Sequence, residues 1–158
     1  ITLETPIGRY LKDVEIAQAA ASQISELSNV TCEVEQREFN ALVQDVTASS
    51  IEDRPRFNLL GWGNAEFDAS QTITPLLSST GDLTMLKNDE IDGLLADAES
   101  EADPEAREEI LQEANARLNE LAPWVFMHQQ FSVYGTSTDI SWEPRADEFI
   151  DVDTVSQM

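Results

Sequence analysis

The residues best suited to chemistry lie together in Leu59-Leu60-Gly61-Trp62-Gly63-Asn64-Ala65-Glu66-Phe67-Asp68. An apolar run there ends in two glycines, an indole, an amide and two carboxylates. Glycine lets a backbone approach a ligand closely, the indole offers a broad apolar face with one donor, and a carboxylate facing a ligand ammonium gives a charge-assisted hydrogen bond. This is binding chemistry, with Gly61, Trp62, Gly63, Asn64, Glu66 and Asp68 as the candidate ligand contacts. For Asp68 the competing role is a turn or helix cap, which aspartate favours at the start of a loop, and for Trp62 it is a place in the core. Nothing in the stretch resembles a catalytic constellation. The chain as a whole has no Gly-x-Ser-x-Gly elbow, no phosphate loop and no paired zinc ligands, so no enzymatic activity and no cofactor are expected.

Other reactive residues read as structural. Cys32 is the single cysteine, which excludes an internal disulfide. It alternates with polar neighbours in Val30-Thr31-Cys32-Glu33-Val34-Glu35 and belongs with Val30 and Val34 on an inner face. His128 is the one histidine and so has no histidine partner for a metal; it reads as a histidine within a strand. Asp89, Glu90 and Asp92 lack the looped calcium spacing and suit the start of a solvated helix, where negative charge complements the dipole. No metal site is expected.

The elements that must position the binding stretch follow from periodicity. Ile1 to Ile7 alternates as a short strand, and Asp13 caps a helix whose apolar face is Ile16, Ala17, Ala20, Ala21, Ile24 and Leu27. Val30 to Gln36 is a second strand, and Phe39, Leu42, Val43 and Val46 mark a second helix from Glu38 to about Ser50. Arg56 to Trp62, bounded by Pro55 and Gly63, is a third strand. This βαβαβ order predicts an α/β fold with a parallel-sheet core, in which ligands bind beyond the carboxyl ends of the strands. Residues 63–88 are expected to be a long binding loop with a short helix near Ser70 to Leu77. Two helices follow, Asp89 to Glu101 capped by Asn88, and one starting at Asp103-Pro104 and running through Leu121. Pro123 ends the second, and Trp124 to Phe131 has the composition of a further strand.

Composition narrows the partners. The 158 residues suffice for one domain with a core, and 41% of them are hydrophobic. Acidic residues number 31 against nine basic, giving a formal charge of -22 that argues against nucleic acid or an anionic membrane as partner. Either the chain is a generic acidic protein or it is adapted to high salt, where screening shortens to roughly 3 Å at 1 M; the scarcity of lysine favours adaptation. No run of apolar residues is long enough for a transmembrane helix. The start at Ile1, in mid-pattern and without methionine, reads as a piece of a longer protein, so the missing export signal leaves location open.

Four segments in order carry a family resemblance: Gly8-Arg9-Tyr10-Leu11-Lys12-Asp13-Val14-Glu15-Ile16-Ala17-Gln18-Ala19, Leu60-Gly61-Trp62-Gly63, Asn88-Asp89-Glu90-Ile91-Asp92-Gly93-Leu94-Leu95, and Ala122-Pro123-Trp124-Val125. Together they resemble the carboxyl-terminal lobe of the family 5 extracellular solute-binding proteins, the peptide/nickel class that serves ATP-driven importers. The resemblance implies one lobe, residues 1–133, of a two-lobe periplasmic-binding-protein fold. Residues 134–158 would lead back toward an absent first lobe. It further implies a peptide or similar small solute as ligand, closure of the lobes around it, and the N-terminal lobe and transporter permease subunits as partners. The implied location is extracellular or periplasmic, with a membrane anchor in the missing N-terminal region. In peptide-binding members a carboxylate after the glycine-tryptophan strand end pairs with the ligand's amino terminus. Asp68 and Glu66 are the counterparts here, while many members carry aspartate three positions after the tryptophan, where this chain has Ala65. The alternative reading is an independent acidic domain that docks another protein through the helices at 89–121.

Overall fold

A computed structural model describes residues 1–48, 50–54 and 57–158 of the chain. Its first part is built as the alternation predicts. Strand β1 (Thr2–Pro6) buries Leu3 and Thr5 on one face, and β2 (Glu33–Arg37) pairs with it in parallel, Leu3 opposite Val34. Helix α1 (Asp13–Ser25) makes the crossover and packs on both strands. Asp13 is its first residue; the buried carboxylate accepts from the backbone N–H groups of Arg9 at 2.8 Å, Tyr10 at 3.1 Å and Val14 at 2.9 Å. Those donors hold its pKa down despite burial, which acts in the opposite direction. Ala17, Ala21, Leu3 and Cys32 form the core of this layer, with Val34, Phe57 and Leu59 packed against it. Leu27, expected on the inner stripe, lies past the helix end and is exposed.

Helix α2 (Phe39–Ala48) returns from β2 with Leu42 and Val46 buried. The third strand is shorter than its composition predicts. Within the stretch from Arg56 to Trp62, Arg56 lies outside the described residues, and among the described residues pairing is confined to one parallel bridge between Asn58 and Glu4. Around it, Glu4 N–H donates to the Phe57 carbonyl at 3.0 Å and Leu59 N–H to the Glu4 carbonyl at 2.8 Å. β1 therefore lies between β2 and the 57–59 segment. Successive side chains of an extended segment point to opposite faces. Leu59 accordingly joins the core of the first layer, and Leu60 joins a second cluster formed by Ile73, Leu76, Leu77, Ile91 and Leu118. Both faces of the segment are thus covered, as they are in a strand of a parallel sheet.

That second core is built on the short helix expected near Ser70 to Leu77, which supplies Ile73, Leu76 and Leu77, and on the two helices expected after it, which supply Ile91 and Leu118. Helix α3 (Ala69–Leu77) is capped by Asp68 and carries Pro75 within it. Gly81 closes the following turn because no side chain fits there: a Cβ would lie 2.4 Å from the Pro75 carbonyl oxygen. Helix α4 (Asp89–Ser100) is capped by Asn88, and α5 (Pro104–Leu121) by Asp103, whose carboxylate accepts from Glu105 and Ala106 N–H, both at 3.0 Å. α4 and α5 pack as a helical hairpin, and α3 packs on α4. Asp92 accepts from Ser79 N–H at 2.8 Å, tying α4 to the α3 turn.

The strand expected at Trp124–Phe131 does not form. These residues carry no regular structure and have no strand partner among the described residues, with Val125, Phe126 and Phe131 largely exposed. Aromatic and branched residues favour a strand only where a neighbouring strand and a covered face receive them. His128 is accordingly an exposed residue of this segment and not a strand histidine. Beyond it, β3 (Ile140–Ser141) and β4 (Ser156–Gln157) form a small antiparallel pair. Tyr134 and Trp142 meet edge to face at 5.2 Å.

Candidate binding site

The three parallel segments end side by side, and the chain that leaves each end contributes to one concavity. After β1 the chain turns at Gly8, whose φ of 67° lies in the left-handed region, and presents Arg9 and Tyr10. After β2 it presents Phe39, the first residue of α2, with Val43 one turn further on. After the 57–59 segment it presents Leu60, Gly61, Trp62 and Gly63. With Leu83 these residues line a pocket of about 270 Å³. A ligand site at the carboxyl ends of parallel strands, on both sides of the central one, is where an α/β sheet leaves its crevice.

Aromatic packing fixes the pocket walls. The Tyr10 and Phe39 rings meet edge to face with centroids 6.3 Å apart, and the Tyr10 hydroxyl donates to the Gly61 carbonyl at 3.1 Å. A Cβ at Gly61 would stand 2.8 Å from the Tyr10 ring, so a larger residue there would displace the tyrosine. The Arg9 guanidinium lies 4.8 Å from the Phe39 centroid and 5.6 Å from that of Tyr10, within cation–π range of both. Trp62 keeps 42% of its surface exposed, as a wall does and a core residue does not.

Of the six residues expected to form the site, the structure gathers Gly61, Trp62 and Gly63 on the pocket and directs the others elsewhere. Asn64 donates to the Asp68 carbonyl at 2.8 Å and to Thr72 Oγ1 at 3.3 Å, bracing the start of α3. Glu66 is exposed, and its N–H donates to the Gln71 side chain at 3.0 Å. Asp68 follows Phe67, an exposed aromatic residue held at a φ of 56°. Its carboxylate is occupied three ways: it accepts from Ser70 N–H at 2.8 Å, from the Ser70 hydroxyl at 2.6 Å, and from both terminal nitrogens of Arg107 at 2.7 and 3.1 Å. The arginine hydrogen bonds, followed by those of Ser70, hold the Asp68 carboxyl far below the usual carboxylate range. The Ser70 N–H bond is the helix cap, and the Arg107 pair ties the start of α3 to α5. Arg9, Tyr10, Phe39 and Val43 line the pocket without being among the expected contacts, although the strand-end rule that selects Gly61 applies equally to the residues after β1 and β2.

Among the described residues, no group of three or more His, Cys, Asp or Glu side chains is placed to hold a metal ion. No described helix is long and apolar enough to cross a membrane.

Solved structures share this architecture. The chain superposes on the murein tripeptide-binding protein MppA of Escherichia coli with a TM-score of 0.63 at 23% identity, over 78% of this chain and 23% of that one. On the periplasmic binding protein DppA of Helicobacter pylori, in complex with the peptide STSA, the TM-score is 0.61 at 22% identity, over 78% of this chain and 24% of that one. On the oligopeptide-binding protein AppA of Bacillus subtilis, in complex with a nonapeptide, it is 0.63 at 21% identity, over 77% of this chain and 24% of that one. The fold is that of a periplasmic binding protein. The chain spans about a quarter of the length of these structures. No family model and no curated protein sequence matches it. Within the periplasmic-binding-protein fold, the pocket at the strand ends is a concave face of this quarter.

Proposed function

We propose that this chain forms one lobe of an extracellular or periplasmic binding protein that captures peptides for an ABC importer by closing two lobes on the ligand. The observation that carries the reading is the pocket itself, built from the ends of all three parallel segments and walled by Tyr10, Phe39 and Trp62. Gly61, Trp62 and Gly63 contact the ligand, while Asn64, Glu66 and Asp68 shape the turn behind them. The peptide ligands named for the similar structures support the substrate class. A second lobe covers the exposed apolar residues of the C-terminal segment, Val125, Phe131 and Val133 among them. Permease subunits receive the loaded protein, which is tethered to the membrane outside this chain. The protein binds and releases its ligand unchanged.

The test is titration of the intact protein with a mixture of three- to five-residue peptides, read by calorimetry, with small-angle scattering in parallel. Heat of binding together with a smaller radius of gyration is expected. Absence of both would overturn the reading.

A further inference from the structure

The chain contains a single asparagine with serine or threonine two positions further on and no proline between, in Asn29-Val30-Thr31. Asn40, Asn58, Asn64, Asn88, Asn115 and Asn119 are each followed at that distance by leucine, glutamate or arginine. Asparagine in this spacing is the acceptor of N-linked sugars, provided that its side chain stands on the surface where a transferase can reach it. The connection from α1 to β2 meets that condition. Val30 N–H donates to the Leu27 carbonyl at 3.3 Å, which closes a turn with Ser28 and Asn29 at its corner. Ser25 Oγ accepts from Cys32 N–H at 2.9 Å and donates to the Cys32 carbonyl at 3.4 Å, fastening the two ends of the connection to each other. Asn29 and Thr31 are both exposed. Neither the Asn29 amide nor the Thr31 hydroxyl has a hydrogen-bond partner among the described residues, whereas the side chains of Asn64 and Asn88 are spent on the turns they hold. The connection leads into the amino end of β2, and the pocket lies beyond the carboxyl end of that strand, about 16 Å further along.

We infer that Asn29 is a modification site and carries an N-linked glycan. The inference goes beyond ligand capture and rests on the proposed extracellular or periplasmic location, since this acceptor motif is used in exported chains. The co-reactant is a sugar carried on a lipid phosphate. Asn29 Nδ2 forms a bond to the anomeric carbon of that sugar as the bond from the same carbon to the phosphate oxygen breaks. The lipid phosphate leaves with the electron pair, and one amide proton passes to a base of the transferase. The product places a bulky, hydrated group beside Leu27, a residue of the same turn that is 61% exposed. The glycan thus covers an apolar spot at the end of the sheet remote from the pocket, where it does not obstruct a ligand.

The experiment is mass spectrometry of the full chain purified from the organism that makes it, before and after digestion with trypsin. Cleavage after Lys12 and Arg37 releases residues 13–37, in which Asn29 is the single asparagine. That peptide should be heavier than its sequence by the mass of one or more sugars, with the added mass on Asn29 in the fragment spectra. Made in the same organism, the variants Asn29→Gln and Thr31→Val should lose the added mass, and Thr31→Ser should keep it. Both altered positions are exposed and remote from the pocket, so the variants should keep the melting temperature and the peptide affinity of the parent. A peptide 13–37 found only at its unmodified mass, in protein recovered from outside the cytoplasm, would overturn this inference and leave the proposed function standing. Added mass that survives in N29Q would do the same, by placing the sugar on a serine or threonine. Protein recovered only from the cytoplasm would overturn both.

Discussion

Asp68 shows how one side chain can suit two roles, ligand contact and helix cap, that its local sequence does not separate. Its position after a glycine-tryptophan strand end suits a ligand contact, and its residue type suits a cap just as well. What separates the two is Arg107, which lies 39 positions further along the sequence. Replacing Asp68 with alanine removes a helix cap worth about 1 kcal/mol and an ion pair roughly one-third exposed, worth up to about 1 kcal/mol more. D68A is therefore expected to lower the unfolding free energy by about 1–2 kcal/mol in urea titration, with D68N losing less because the amide oxygen still caps. The pH dependence has a definite sign. The folded pKa is depressed, so the stabilisation is complete above the unfolded carboxyl value of about 3.9 and fades as pH falls below it toward the folded value. The stability difference between the parent and D68N should accordingly shrink in acid. A difference that stays constant from neutral pH down into that range would show that the ion pair contributes nothing.

At the scale of elements, local signals worked wherever an element is stabilised by its own sequence. The caps Asn88 and Asp103, the proline that opens α5 and the apolar stripes of α1, α2, α4 and α5 are near-neighbour effects, and the helices stand where they were expected. Strands failed in two places because a strand is completed by a partner that local sequence does not reveal. The residues at 57–59 found one rung on β1, and those at 124–131 found no partner among the described residues. The turn after α3 offers a sharp contrast between two glycines. At Gly81 an added methyl would lie 2.4 Å from the Pro75 carbonyl oxygen and 2.6 Å from that of Thr74, whereas at Gly93, inside α4, it would meet nothing within 4 Å. Gly81→Ala should destabilise the protein by about 1–3 kcal/mol, as overpacking does, while Gly93→Ala should stabilise it by about 0.5–1 kcal/mol through helix propensity. Chemical denaturation of the two variants side by side checks this, and a neutral G81A would show that the turn can open without cost.

For the whole molecule the dominant quantity is its charge. With 31 acidic and nine basic residues, repulsion between carboxylates opposes compaction, and added salt screens it as the Debye length falls from about 10 Å at 0.1 M to about 3 Å at 1 M. The melting temperature should therefore rise with potassium chloride across that range, even though exposed ion pairs such as Arg117 with Glu90 weaken. A melting temperature that falls with salt would sink the reading of the chain as salt-adapted. The sequence by itself determined the helices, the caps Asn88 and Asp103, and the strand-helix-strand-helix order of the first part of the chain. These depend on residues close together along the chain. Only the tertiary structure decided that Arg107 claims Asp68, that Leu60, Leu83 and Leu86 pack with the helix at 69–77 into a second core, and that Arg9, Tyr10 and Phe39 meet Gly61–Gly63 in one pocket. Those outcomes follow from which strand lies beside which, and adjacency between strand ends some thirty to fifty residues apart is settled by the burial of shared faces, leaving no local trace.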